Sequence, residues 1–196
     1  MMPLASLVIA YLLGAIPFGY LLVKLKTGGD VRDKGSGNIG ATNVMRTSGR
    51  TAGFATLILD IAKGYLAVVI ADRLTGGDTL VMSAAAATVM AGHAFPVFLR
   101  FKGGKAVASF VGAFLYLTPL ALGVETIVFV VIVFWTRHIS LGSIVGAATF
   151  PLAVWLVQRG GWPELAASVL AAAFIIYRHS SNMQRLRDGT ENVFKL

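Results

Sequence analysis

The sequence predicts an all-α integral membrane protein that forms a single membrane-embedded domain over residues 1–196. Its composition is the first reason, because 56% of the residues are hydrophobic and 13% are charged, whereas roughly a quarter of a soluble domain is charged. The second reason is that nearly uncharged windows recur along the chain. Several of them are close to the roughly 20 residues that a helix needs to cross a bilayer.

Seven transmembrane helices are predicted from these windows. They cover residues 3–23, 53–71, 79–99, 106–118, 120–136, 139–157 and 164–177. The window 106–136 is too long for one ordinary span and contains Pro119, which cannot continue a helical hydrogen-bond ladder. We therefore divide it into two short helices. The first cation is Lys24, so no positive region precedes the first apolar run, which favours a retained helix over a cleaved signal peptide.

The distribution of Lys and Arg supports seven spans, with the N-terminus outside and the C-terminus in the cytoplasm. Fourteen of the seventeen cationic residues then lie on the inner side, while Arg73 and Arg159 lie outside and Lys63 lies within a helix. Six spans would leave ten inside and six outside. The positive-inside rule favours the first arrangement.

Composition also excludes several classes of function. The chain has no cysteine, which removes disulfides, thiolate metal sites and a cysteine nucleophile. Its three histidines have no partner at i, i+4, so no metal site is predicted. The net charge of +8 is not carried by a soluble basic module, so we expect anionic lipid and anionic substrates as partners, and no nucleic acid.

Segment 35–46, between two apolar windows, has the composition of a phosphate cradle. Its three glycines allow consecutive N–H groups to point into one concavity, and Arg46 adds a bidentate cation. The spacing of Gly35, Gly37 and Gly40 imitates a dinucleotide fingerprint, but no βαβ unit surrounds it. A flexible Gly/Ser linker is the alternative.

Two further polar segments, 92–105 and 178–191, lie on the same predicted side. In the first, Gly103, Gly104 and Lys105 precede an apolar helix, where amides and an ammonium can bind an anion; an ordinary basic interfacial loop is the alternative. In the second, His179 and Asn182 would share a helix face; a basic tail touching anionic lipid is the alternative. Each segment, taken by itself, is compatible with both of its interpretations.

Three charged residues fall inside predicted spans. Asp60 and Lys63, at i, i+3, are expected to form an intramembrane ion pair that holds the helix against the polar loops, although a functional role is the default for such residues. Glu125 is expected to face water near a helix end.

The three segments together resemble the bacterial acyl-phosphate:glycerol-3-phosphate acyltransferases, the PlsY family. The matching motifs are Gly-Ser-Gly-Asn-x-Gly-Ala-Thr-Asn-x-x-Arg, Gly-His-x-Phe-Pro-x-Phe-Leu-x-Phe-x-Gly-Gly-Lys and Arg-His-x-x-Asn-x-x-Arg-Leu-x-x-Gly-Thr-Glu. The resemblance covers essentially the whole chain. It implies a multi-pass enzyme of the bacterial inner membrane that transfers a fatty acyl group from acyl phosphate to the 1-hydroxyl of glycerol 3-phosphate at the cytoplasmic face. It implies no cofactor or metal, and neither acyl-CoA nor acyl-carrier protein as the donor.

The resemblance also implies roles for individual residues. Those matching positions that hold glycerol phosphate are Ser36, Arg46, Lys105, His179 and Asn182. Those that would cradle the acyl phosphate are Gly40, Ala41, Thr42 and Asn43. Residues expected to brace these loops or contact phosphate are Asn38, His93, Gly103 and Gly104, with Ser143 as a further candidate. Ser36, Lys105 and His179 are the expected catalytic residues, and a substrate phosphate is the expected base, with His179 as the alternative.

Other functions remain to be tested against this one. A transporter for an organophosphate would also use cationic glycine-rich loops, but transporters usually place polar groups at the bilayer midplane. A non-catalytic membrane partner protein is the third class. The main departure from the family pattern is Ala106, which stands where glycine usually follows Gly-Gly-Lys.

Overall fold

The computed structural model describes residues 1–159 and 161–194, and these residues form helices and connecting loops without a β-strand. Ten α-helices occur within them: α1 (Met2–Ala15), α2 (Phe18–Thr27), α3 (Ala41–Ser48), α4 (Arg50–Thr75), α5 (Thr79–Ala94), α6 (Val107–Leu117), α7 (Pro119–Thr136), α8 (Ile139–Ala153), α9 (Trp162–Arg178) and α10 (Ser180–Arg187). The chain divides into two compact units, Met1–Tyr116 and Leu117–Leu196.

Five stretches in the described part of the chain are long and apolar enough to span a membrane. They are Met2–Thr27, Arg50–Thr75, Thr79–Leu99, Pro119–Thr136 and Ile139–Gln158. The other two predicted spans are shorter helices. α6 has 11 residues and is about 16 Å long, well below the roughly 30 Å of a hydrocarbon core; α9 has 17 residues. The number seven and the orientation of the termini therefore stay predictions, and Lys195, one of the predicted inner-side cations, lies outside the described residues.

The break predicted at Pro119 is confirmed, because α6 ends at Leu117 and α7 begins at Pro119. Thr118 between them has φ −143° and ψ 65° and is not helical. The first span differs from the single helix predicted. Ile16 adopts an extended conformation with ψ 115° immediately before Pro17, because the proline ring disfavours the α conformation in the preceding residue.

Glycines bring the helices of the first unit close together. Gly14 of α1 contacts the backbone of Val89 in α5, and Gly92 of α5 contacts that of Tyr11 in α1. In the same way, Gly64 of α4 lies against the backbone of Ser109 in α6. Small residues of this kind let membrane helices approach closely enough for backbone contact.

In the second unit, α7 packs on α8 and α8 packs on α9. Pro151 lies inside α8, and the helix continues into a π-helical turn over Val154–Gln158, a distortion expected where a proline removes a backbone hydrogen bond. The carboxyl of Glu125 packs against Gly146 of α8, and the residue is 6% exposed. The expectation that Glu125 faces water is therefore wrong.

Candidate active site

The candidate residues are distributed over both compact units. Segments 35–46 and 92–105 belong to the first unit, and Ser143, His179 and Asn182 belong to the second. Each group is built by different elements, so each is described within its own unit.

Asn43 holds the first segment in shape. Its Oδ1 accepts a hydrogen bond from the Ser36 N–H at 2.9 Å. Its Nδ2 lies 2.8 Å from the carbonyl oxygen of Asn38, 3.1 Å from that of Lys34 and 3.3 Å from that of Val31. The residue is 2% exposed. One buried side chain in the first turn of α3 therefore ties down the loop that precedes the helix, and this loop curves around the helix N-terminus.

Unpaired donors project from the same loop and helix. The Ser36 and Thr42 hydroxyls and the Arg46 guanidinium are exposed and make no hydrogen bond or ion pair with any residue that the structure describes. Thr42 and Arg46 are four residues apart on α3 and so share a face. By contrast, the Arg32 guanidinium pairs with Asp30 at 2.6 Å, and this hydrogen-bonded pairing lowers the pKa of Asp30. The charge of Arg46, unlike that of Arg32, is thus available to a ligand.

Helix α3 adds backbone donors to this face. The N–H of Gly40 is used by the Asn38 side chain at 2.7 Å, while Ala41 and Thr42 occupy the first two positions of the helix. The first N–H groups of a helix have no acceptor within it. The positive end of the helix dipole and the Arg46 side chain make this end of the first unit suited to an anion.

A shared hydrophobic cluster joins the first segment to the second. It contains Val23, Val31, Ile39, Val44, Ala52 and Leu99, with Tyr20 packed against it. Ile39 and Val44 lie within segment 35–46, and Leu99 lies in segment 92–105. The structure therefore brings these two predicted segments together.

Close packing against His93 shapes the second segment. The N–H of Gly104 donates to the His93 carbonyl at 3.1 Å, and that of Gly103 donates to the Ala94 carbonyl at 3.2 Å. A Cβ at Gly104 would overlap the His93 ring, and one at Gly103 would overlap the His93 carbonyl. Only glycine fits at these two positions, so the Gly-Gly turn packs beside the last two residues of α5, and Lys105 follows this turn directly in the chain.

The predicted ion pair of Asp60 and Lys63 is confirmed. The Lys63 Nζ lies 2.8 Å from Asp60 Oδ1, and both side chains are 2% exposed. Lys63 also donates to the Ile16 carbonyl at 2.8 Å, where the first span breaks, and Asp60 Oδ1 lies 3.7 Å from His93 Nδ1. The pair therefore supports both the break and the histidine beneath the Gly-Gly turn.

Glu191 organises the tail of the second unit, although it was not among the predicted site residues. Its carboxylate accepts hydrogen bonds from Asn182 Nδ2 at 2.7 Å, Arg185 Nε at 2.7 Å and Ser140 Oγ at 3.0 Å. Burial acts to raise the pKa of Glu191, but the hydrogen bonds from Asn182, Arg185 and Ser140 together outweigh it and hold the pKa below its usual value. The sequence signal for this role was an acidic residue at the end of the Gly-Thr-Glu motif, after a run of basic residues.

His179 lies at the junction of α9 and α10 and not inside one continuous helix. Its Nδ1 is 2.8 Å from the Ile175 carbonyl, and because a carbonyl oxygen only accepts, Nδ1 carries the hydrogen. Ser143 Oγ donates to the Ile139 carbonyl at 3.0 Å, a bond within its own helix. The roles expected for both residues stay predictions.

No group of three or more metal-ligating side chains occurs in residues 1–159 and 161–194. Arg185, three residues after Asn182 in α10, binds the same Glu191 carboxylate as Asn182 does.

Known proteins match this chain over almost its whole length. The family model described as glycerol-3-phosphate acyltransferase matches residues 4–189. A glycerol-3-phosphate acyltransferase of Desulforamulus reducens is 48% identical over 182 residues, which cover 93% of this chain and 90% of the relative.

Two solved structures also match, both of PlsY, an integral membrane glycerol 3-phosphate acyltransferase. Its glycerol 3-phosphate form has a TM-score of 0.94 and 37% identity, and its lysophosphatidic acid form has a TM-score of 0.91 and 36% identity. Each match covers 100% of this chain and 96% of the other. With five apolar helices of spanning length, this likeness confirms the all-α integral membrane class.

Proposed function

Because the chain belongs to the glycerol-3-phosphate acyltransferase family, we propose that it transfers a fatty acyl group from acyl phosphate to the 1-hydroxyl of glycerol 3-phosphate. The products are lysophosphatidic acid and inorganic phosphate. The observation that carries the proposal is the set of exposed donors on α3 and the loop before it, where the Ser36 and Thr42 hydroxyls and the Arg46 guanidinium have no partner among the described residues. Such donors suit a phosphorylated ligand.

In the proposed reaction, the 1-hydroxyl oxygen attacks the acyl carbonyl carbon and the carbon–oxygen bond to phosphate breaks. The bonding electrons leave with the phosphate, and the hydroxyl proton passes to a phosphate oxygen of a substrate. Charge grows on the departing phosphate, and preorganised N–H groups and cations stabilise such a transition state strongly. Acyl phosphate is already activated, so correct placement of the two substrates supplies much of the remaining acceleration.

We assign the glycerol phosphate to Ser36, Arg46, Lys105, His179 and Asn182, and the acyl phosphate to Gly40, Ala41, Thr42 and Asn43, among which the Gly40 and Asn43 N–H groups already have acceptors within the protein. Asn43 acts through the shape of the loop, since its side chain is bonded to Ser36, Asn38 and Lys34. Glu191 serves in the same way in the tail, because it fixes the amide of Asn182.

The experiment for this function combines purified protein with synthetic acyl phosphate and glycerol 3-phosphate, and follows phosphate release and lysophosphatidate formation. Parallel reactions replace acyl phosphate with acyl-CoA or acyl-carrier protein. Turnover with acyl phosphate alone supports the proposed donor, whereas turnover only with a thioester contradicts it. Uptake of labelled glycerol phosphate into proteoliposomes without any acyl donor would instead support a transporter.

A matched pair of lysine variants tests the site. Lys105→Met removes the ammonium next to the Gly-Gly turn and is expected to abolish turnover. Lys102→Met removes an exposed ammonium of the same loop, three residues earlier, and is expected to retain it. Equal activity of the two variants would contradict the placement of substrate at Lys105.

The base is tested with His179→Ala at saturating glycerol phosphate. Near-normal kcat with a raised KM identifies His179 as a binding residue and leaves the proton to the substrate phosphate. A large loss of kcat at saturation would identify His179 as the base.

We further propose seven spans in the bacterial inner membrane, with the N-terminus outside and the site on the cytoplasmic face. The support is the excess of Lys and Arg in the segments assigned to that side. Because the chain has no cysteine, single cysteines can be introduced without a background. A cysteine at Gly77 should react with an impermeant maleimide in intact cells, and one at Arg50 only after lysis; the reverse pattern would contradict the orientation.

A further inference from the structure

A cleft of ≈ 170 Å³ lies at the C-terminal end of α7, within the second unit. It is lined by Phe129, Val130, Val133, Phe134, Arg137 and Phe194. Four of these residues come from the last turns of α7, and their side chains are apolar. Val130 and Phe134 are more than half exposed, as expected of side chains that face lipid in a spanning helix.

Neighbouring residues put the mouth of the cleft at the level of the lipid headgroups. Trp135 is exposed beside Phe134, and tryptophan is enriched at the membrane–water interface. Arg137 ends α7 in a left-handed conformation with φ 61°. From Phe129 to Arg137 the helix rises about 12 Å, so the cleft extends from the interface into the hydrocarbon.

Arg137 is the charged member of the lining, and its guanidinium makes no hydrogen bond or ion pair within residues 1–159 and 161–194. A guanidinium at headgroup depth can bind two oxygens of one phosphate group, while the apolar walls suit an acyl chain. One cation complements the single negative charge of a phosphodiester, whereas a phosphomonoester carries about 1.5 to 2 charges near neutral pH. The chemistry therefore fits a diester phospholipid better than a phosphomonoester lipid. Among diesters it fits an anionic phospholipid better than a zwitterionic one, because the headgroup ammonium of a zwitterionic lipid repels the guanidinium.

The cleft is connected to the tail that holds Asn182. The Phe194 N–H donates to the Arg137 carbonyl at 2.7 Å, and the Phe194 side chain forms one wall of the cleft. Three residues earlier, Glu191 binds Ser140, Asn182 and Arg185. An occupant packed against Phe194 would hold this tail in place.

We propose that the cleft binds one anionic phospholipid of the surrounding bilayer, with its phosphodiester on Arg137 and an acyl chain along α7, and that this lipid stabilises the tail carrying Glu191. The bound lipid is a structural ligand, distinct from the substrates. It makes the order of the tail depend on the content of anionic lipid in the membrane.

The test uses full-length protein in phosphatidylcholine nanodiscs with increasing phosphatidylglycerol. Native mass spectrometry after transfer to detergent counts retained phosphatidylglycerol, and hydrogen exchange follows the amides of residues 188–194. The variants are Arg137→Gln, which removes the charge, and Val130→Trp, which fills the cleft. The matched control is Arg159→Gln, because Arg159 is also an exposed arginine with positive φ (51°) after a helical segment of the same unit but does not line the cleft.

Wild type and Arg159→Gln should retain one phosphatidylglycerol and show slower tail exchange as its content rises. Arg137→Gln should retain it about tenfold more weakly, the loss expected for one charge-assisted contact, and Val130→Trp should lose it as well. Equal retention by all four proteins, or tail exchange that does not respond to phosphatidylglycerol, would overturn the proposal. Displacement of phosphatidylglycerol by acyl phosphate at lower concentration would also overturn it, because the cleft would then be a donor site. None of these readouts requires turnover, so the result does not depend on the proposed acyltransferase activity.

Discussion

Replacing Asn43 by aspartate tests whether one buried amide holds the phosphate-cradle loop. The two side chains have the same shape, so the Ser36 N–H keeps its acceptor, but an oxygen replaces the nitrogen that faces the carbonyls of Asn38 and Lys34. Losing each of these two hydrogen bonds, with its carbonyl left facing an oxygen, costs about 1–2 kcal/mol. We therefore expect local destabilisation of about 2–4 kcal/mol.

Hydrogen exchange of the amides between residues 31 and 43 measures this effect directly, because exchange from a locally opened state reports the free energy of opening. A change of about 2–4 kcal/mol multiplies the opening equilibrium constant by a factor of roughly 30–1000. Turnover should fall as the loop opens more often, because Ser36 and residues 40–42 then lose their arrangement.

Thr47→Val is the matched control, because its hydroxyl donates only to the Asn43 carbonyl at 2.8 Å, a bond along its own helix. It should change protection and turnover little. If the Asn43→Asp protein shows the same amide exchange and turnover as this control, the loop is held by something other than the Asn43 amide.

Three further substitutions test contacts elsewhere in the protein. Glu191→Gln should speed hydrogen exchange in the tail above pH 4.5, because the pKa of Glu191 in the folded protein lies below its ordinary value of 4.5. In the wild type, the carboxylate stabilises the tail above pH 4.5, and this stabilisation is lost as the pH falls through the folded pKa. Tail exchange in the variant should not depend on pH in this way. Gly64→Ala should lower the free energy of unfolding in detergent by about 1–3 kcal/mol, because the added methyl meets the backbone of α6. Gly123→Ala is the control and should be neutral or slightly stabilising, because no described atom lies within 4 Å of the added methyl. Gly104→Ala should reduce turnover, because its methyl displaces the His93 ring; unchanged turnover would show that the position of this ring does not matter.

Much of the architecture was predictable because it depends on local chemistry. The break before Pro119 follows from the missing N–H of proline, and the Asp60–Lys63 pair follows from i, i+3 spacing on a helix that offers charged groups no water. The break at Ile16 was equally local and was missed, because the apolar window continued through Pro17. The identities of the three polar segments were also readable, since glycine, hydroxyl and cation together indicate anion binding.

By itself, the sequence determined the all-helical membrane class and the family, through hydrophobic windows and motif spacing that need no knowledge of contacts. Only the tertiary structure decided what the polar side chains touch: Lys63 reaches the carbonyl of Ile16, and Glu191 reaches Ser140, across 47 and 51 residues respectively. Such partners cannot be read from spacing, because a hydrogen bond forms only where the packed backbone brings donor and acceptor within about 3 Å. That is why Asn43 and Glu191 appear as supports of the site only once the chain has folded.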